Sequence, residues 1–152
     1  MTTPLDRLNA AGVELPEAAA PVANYVPSVI SGSQLFISGQ ISLGPNGLIT
    51  GRLGETMDLV QGQAAARLCG INLIAQMQAA LGDLERVQRI VKLGGFVNAA
   101  PDFIEIPQVI NAASDLMVLA FEDKGRHSRS AVACPVLPLG AAVEIDAIVE
   151  IS

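Results

Sequence analysis

The run Gly125-Arg126-His127-Ser128-Arg129-Ser130 holds two of the chain's nine basic residues and its only histidine, with Lys124 immediately before it. Ala131-Val132-Ala133 follows and reads as a strand. An arginine entering an apolar strand is either a surface charge at the strand's mouth or a receptor placed for an anion. The planar guanidinium suits the second role, because its fork of donors matches a carboxylate through two parallel hydrogen bonds. Fifteen residues on, Glu144 stands between Val143 and Ile145. A carboxylate there can hold a water or move a proton, or it can form a structural ion pair with Arg129.

Other polar residues carry the same double reading. Tyr25 on its own reads as a core or interface aromatic. Gly39, inside an otherwise regular strand pattern, marks a bulge or a place where something approaches the backbone. Asn111 is a hydrogen bonder near the start of a helix, suited to fixing a loop around a site. His127, between Arg126 and Arg129, is expected to support its surroundings rather than to act as a base. Arg126 and Lys124 read as solvated charges that can steer an anion.

The elements that must position these residues can be read from the periodicity. Residues 3–11 form a short helix, with Thr3 as N-cap, Pro4 at the first helical position and Gly12 at its end. Pro16 to Pro21 is a connector. Asn24–Ile30 and Gln34–Ile41 read as a hairpin, with Pro27 pushing the first strand to an edge. Gly44-Pro45-Asn46-Gly47 is a turn, and Leu48-Ile49-Thr50 returns as a short strand. Thr56–Leu81 is the clearest helix, with Thr56 as N-cap and Gly82 ending it. Gly62 and Gly70 inside it suggest close packing on a sheet. A strand follows at Arg89–Val97. A second helix begins at Pro107 and ends at Gly125, and strands follow at Ser130–Cys134 and Ala142–Ile151. This order predicts an α+β layer structure, with both long helices on one face of the sheet.

Composition narrows the function classes. The chain has 152 residues, one domain's worth, with 51% hydrophobic and 16% charged residues. So little charge suggests that some surface is buried against other subunits. A net charge of −6 and 3% aromatic residues argue against a nucleic-acid role, which needs basic surface and stacking platforms. Cys69 and Cys134 read as free thiols. One histidine and no C-x-x-C pair leave no usual zinc site. There is no signal-peptide pattern and no apolar run of membrane-spanning length, so a cytoplasmic protein without membrane contact is expected.

In order and spacing, Tyr25, Ser38-Gly39-Gln40, Asn111, Arg129-Ser130 and Glu144 resemble the motifs of the RidA/YjgF family of enamine/imine deaminases, also labelled endoribonuclease L-PSP. The likeness runs from about Pro21 to the C-terminus. It divides the chain into an N-terminal helix and connector, residues 1–20, and a RidA/YjgF-like domain, residues 21–152. The chain is most similar to a longer branch with an N-terminal helix, a Leu-Pro element (Leu15-Pro16) and an H-x-R-S-A-V signature (His127 to Val132). Many deaminases of the family carry a cysteine two residues after the arginine, where this chain has Ala131.

The resemblance implies a chorismate-mutase-like (YjgF-like) fold, with a mixed sheet of about six strands and two main helices on one face. It also implies a homotrimer with sites in the clefts between subunits. The implied reaction hydrolyses reactive 2-imino or 2-enamino acids to 2-oxo acids and ammonia, a form of metabolite damage control that needs no metal or cofactor. Arg129 would grip the substrate carboxylate, and Glu144 would activate water. Tyr25, Gly39, Asn111 and the Ala131 backbone would line the site. Two alternatives stand beside it. One is a non-catalytic trimer that binds small carboxylates, which the Ala131 departure keeps open. The other is a ribonuclease or translation inhibitor, against which charge, aromatic content and the lone histidine all count.

Overall fold

The computed structural model describes residues 1–21 and 23–152. Helix α1 spans Pro4–Ala10, closed at its start by a reciprocal capping box between Thr3 and Asp6. It docks on the second long helix, where Arg7 Nε donates to the Ala120 carbonyl at 2.9 Å. Strands β1 (Ser28–Ser31) and β2 (Gln34–Ile41) form a hairpin. The first strand begins later than its alternation suggests because Pro27 has no N–H to give. The Pro27 carbonyl instead accepts from Ser38 N at 3.0 Å.

Strands β3 (Leu43–Gly44) and β4 (Gly47–Leu48) pair only with each other. The strand expected at 48–50 therefore stays out of the main sheet. Helix α2 spans Leu59–Leu81, its N-cap being Asp58 rather than Thr56. Asp58 and Gln61 build a capping box there, while the Thr56 hydroxyl accepts from Arg52 N in the preceding turn. Gly82, at φ +76°, closes the helix in the left-handed region.

Strand β5 (Val87–Asn98), helix α3 (Ile106–Phe121), strand β6 (Ser128–Cys134) and strand β7 (Val143–Ile151) complete the chain. Pro107 occupies the first turn of α3, as its fixed φ favours. The main sheet has five strands in the order β1-β2-β7-β5-β6. The β5–β6 pair is parallel and the others antiparallel.

Alternation along β7 divides the sheet into two faces. Val143, Ile145, Ala147, Val149 and Ile151 are buried toward the helices, whereas Glu144, Asp146, Ile148 and Glu150 face the other way. Leu73, Ile74, Met77, Ile110 and Leu116 fill the helix side of the core. The glycines of α2 serve its contact with α3 and the loop before it, not with the sheet. A Cβ on Gly70 would stand 3.1 Å from Leu116 Cδ2, and one on Gly62 would stand 2.6 Å from Leu53 Cδ1.

Candidate active site

Arg129 lies one residue inside β6, the edge strand of the main sheet. Its register partners are Leu93 on β5 and, across β5, Ala147 on β7, both buried under the helices. Its side chain therefore rises on the helix side and meets α3. There Nη1 donates to Asn111 Oδ1 at 2.8 Å and to Ser114 Oγ at 3.1 Å, and Nη2 donates to the Pro107 carbonyl at 3.4 Å. All three acceptors are neutral. Among the described residues no carboxylate lies within ion-pair distance of this guanidinium.

Asn111 and Ser114 stand three residues apart, on one face of α3. Asn111 thus touches the arginine directly. Ser114 is a site residue the sequence reading missed, although its i, i+3 spacing from Asn111 was a signal for it. His127 completes this cluster, with Nε2 2.8 Å from Ser114 Oγ and Nδ1 2.6 Å from the Gly125 carbonyl oxygen. Burial pushes the imidazole below its ordinary pKa. The Gly125 carbonyl opposes that shift, and the positive charge of Arg129 adds to it. Ala131, two residues along β6, turns its methyl group to the core beside Gly95.

Glu144 stands elsewhere. Its register partners are Ile41 on β2 and Phe96 on β5, and Phe96 pairs in turn with Val132 on β6. This row belongs to the face away from the helices. Between Ile37 and Gln40 the β2–β7 register slips, so Gly39 sits in a bulge against Glu144. A Cβ on Gly39 would stand 3.0 Å from Glu144 Cδ and Oε1. Gly39 thus marks a bulge, and the side chain that approaches its backbone there is the Glu144 carboxylate. Burial, and then the neighbouring Asp146 charge, push the Glu144 carboxyl above the ordinary carboxylate range.

Tyr25 is half exposed in the segment before β1. That segment is tied to the bulge where Ser38 Oγ donates to the Val26 carbonyl at 2.8 Å. That hydrogen bond sets the Tyr25 segment beside the bulge.

The residues fall into two groups. Arg129, Asn111, Ser114 and His127 form a hydrogen-bonded cluster around a guanidinium at the β6 edge, on the helix side. Glu144 and Gly39 lie together on the opposite face, with the Tyr25 segment joined to their bulge through Ser38. Neighbouring strands lie about 4.8 Å apart, and β5 intervenes between β7 and β6. One small substrate cannot touch both groups within a single chain.

Several known proteins are similar. The family model described as "YjgF/chorismate mutase-like, putative endoribonuclease" matches residues 5–151. The Trypanosoma cruzi protein TCP17 is 53% identical over 143 residues, 93% of this chain and 89% of that protein. A crystal structure from Shewanella oneidensis, described with the same endoribonuclease label, superposes with a TM-score of 0.96 at 42% identity, covering 99% of this chain and 100% of that one. The structure of Escherichia coli TdcF with bound serine superposes with a TM-score of 0.64 at 27% identity, covering 90% and 94%.

Proposed function

From the premise that the chain belongs to the YjgF/chorismate-mutase-like family, we propose that it hydrolyses 2-imino and 2-enamino acids to 2-oxo acids and ammonia in a cleft completed by a second copy. The observation that carries this reading is Arg129, a guanidinium held only by neutral acceptors and matched by no carboxylate among the described residues. Such a group is poised for an anionic ligand. The serine in TdcF has a carboxylate of the required kind.

In this scheme Arg129 grips the substrate carboxylate and sets the adjacent C=N carbon against the Glu144 of a neighbouring copy. Glu144 takes a proton from a water as its oxygen bonds to that carbon, giving a carbinolamine. The proton passes to the carbinolamine nitrogen, and the C–N bond breaks as the hydroxyl returns its proton to Glu144, releasing ammonia and the 2-oxo acid. Burial and the Asp146 charge raise the Glu144 pKa, the direction that makes a carboxylate a stronger base toward water. Gly39 keeps the space over the carboxylate open, and Ala131 offers a backbone amide where many relatives have a cysteine.

That alanine supports a second reading, a trimer that binds small carboxylates without turnover. A competition assay separates the two. An amino-acid oxidase generates 2-imino acids, semicarbazide traps them, and hydrolysis by this protein slows semicarbazone formation. The wild type should compete, and Arg129→Ala and Glu144→Gln should each lose at least about a hundredfold, the scale of a lost binding or acid–base group. A wild type that binds 2-oxobutanoate but never slows the trap would establish the second reading. The endoribonuclease label would gain support only from RNA cleavage that Arg129→Ala abolishes.

A further inference from the structure

We propose that His127 and Ser114 are positioning residues that hold the Arg129 guanidinium in the plane needed to receive a carboxylate. This rests on the reading of Arg129 as the carboxylate receptor.

The argument follows the hydrogens. His127 Nδ1 lies 2.6 Å from the Gly125 carbonyl oxygen, which can only accept, so Nδ1 carries the proton. Burial favours the neutral ring, and a neutral ring protonated at Nδ1 leaves Nε2 as an acceptor. The Ser114 hydroxyl, 2.8 Å away, therefore donates to Nε2. With its hydrogen committed, Ser114 Oγ turns a lone pair toward Arg129 Nη1 at 3.1 Å.

Asn111 Oδ1 accepts the other Nη1 hydrogen. Both Nη1 hydrogens are then used. Among the described residues the donors left for a ligand are Nε–H and the two Nη2 hydrogens, one of which touches the Pro107 carbonyl only at 3.4 Å. Nε–H and the Nη2 hydrogen beside it point the same way from one edge of the guanidinium, the geometry that pairs with both oxygens of a carboxylate. The histidine and serine thus choose which edge of the arginine is offered. Gly125 anchors the sequence of bonds, because it sits against the backbone of α3 at Met117, where a Cβ would collide.

The test compares wild type, His127→Leu, His127→Gln, Ser114→Ala and the His127→Leu/Ser114→Ala double variant. The readouts are KM and kcat for 2-iminobutanoate generated in situ, and Kd for 2-oxobutanoate by calorimetry. His127→Leu and Ser114→Ala should each raise KM and Kd about tenfold, with kcat changed less than about twofold, because binding geometry is lost and the proton-transfer group is untouched. The double variant should match either single one, since both cut the same series of bonds. His127→Gln, whose Oε1 can accept where Nε2 did, should recover most of the affinity. Unchanged KM and Kd, or additive losses that Gln does not rescue, would overturn the proposal. Ser114→Ala decides the matter if His127→Leu does not fold.

The single histidine gives an independent arm. Its ¹⁵N spectrum near pH 7.5 should show the Nδ1–H tautomer, and Ser114→Ala should speed rotation of the Arg129 Nη groups. If the wild type neither hydrolyses the imine nor binds the 2-oxo acid, the functional reading falls, and this arm alone decides the positioning role. An Nε2–H tautomer, or rotation unaffected by Ser114→Ala, would overturn it.

Discussion

At the scale of single residues, Arg129 and Glu144 stand on opposite faces of the sheet, and among the described residues neither forms an ion pair. Glu144 makes the consequence measurable. Its pKa is raised by burial first and by Asp146 second, so the folded chain keeps this proton to higher pH than the unfolded chain does. Stability from this group is then complete below the unfolded value and falls as pH rises from the ordinary carboxylate range through the raised value. Glutamine cannot ionise, so Glu144→Gln should stabilise the protein at pH 7.5, with the gain shrinking toward zero as pH falls below that range. Urea midpoints across pH would measure it. A variant less stable than wild type at neutral pH would mean that a cation, such as an arginine of a neighbouring copy, holds Glu144 in a structural ion pair, the rival reading of this residue.

At the scale of elements, the edge strand β6 and helix α3 are fastened together just where the arginine leaves the strand. Gly125, four residues past the end of α3, lets the chain fold back closely against that helix, because its missing side chain leaves room for the Met117 and Val118 backbone. Gly125→Ala should therefore destabilise by about 1–3 kcal/mol, the range for overpacking, although alanine favours most backbone conformations over glycine. Urea unfolding would check it, and a neutral result would show that the turn can shift without cost. Much of this layer was legible in the sequence. Pro107 marked the start of α3, Gly82 the end of α2 and Gly39 the bulge, because each acts through a local backbone requirement. The N-cap of α2 was misjudged because Thr56 and Asp58 are both good caps, and only the turn built by Arg52 decides which one is used. The separation of Arg129 from Glu144 was not legible either. Each strand's alternation says which residues share a face, but pairing across three strands requires their order and register.

At the scale of the whole molecule, the face that carries Glu144 lacks a cover. Val29, Phe36 and Val132 on it are 51%, 40% and 47% exposed, on a chain with few charged residues for its length. Apolar rows of this kind are suited to a contact with another copy, and the function proposed above requires a ring in which the β6 edge of one chain meets the Glu144 face of the next. That arrangement makes a quantitative prediction. In a ring where each site takes Arg129 from one chain and Glu144 from its neighbour, coexpressed Arg129→Ala and Glu144→Gln chains assemble at random. A site is intact when the chain supplying arginine carries only the glutamate substitution and the chain supplying glutamate carries only the arginine substitution. Each condition is met half the time, so the mixture should show roughly a quarter of wild-type activity, from two variants that are separately inactive. If both groups served the same site from one chain, every site in the mixture would lack one of them, and activity would stay at the level of the single variants. Phe36→Asp, which places a charge in the contact, should leave a monomer of about 15.7 kDa by light scattering and abolish activity with both Arg129 and Glu144 intact.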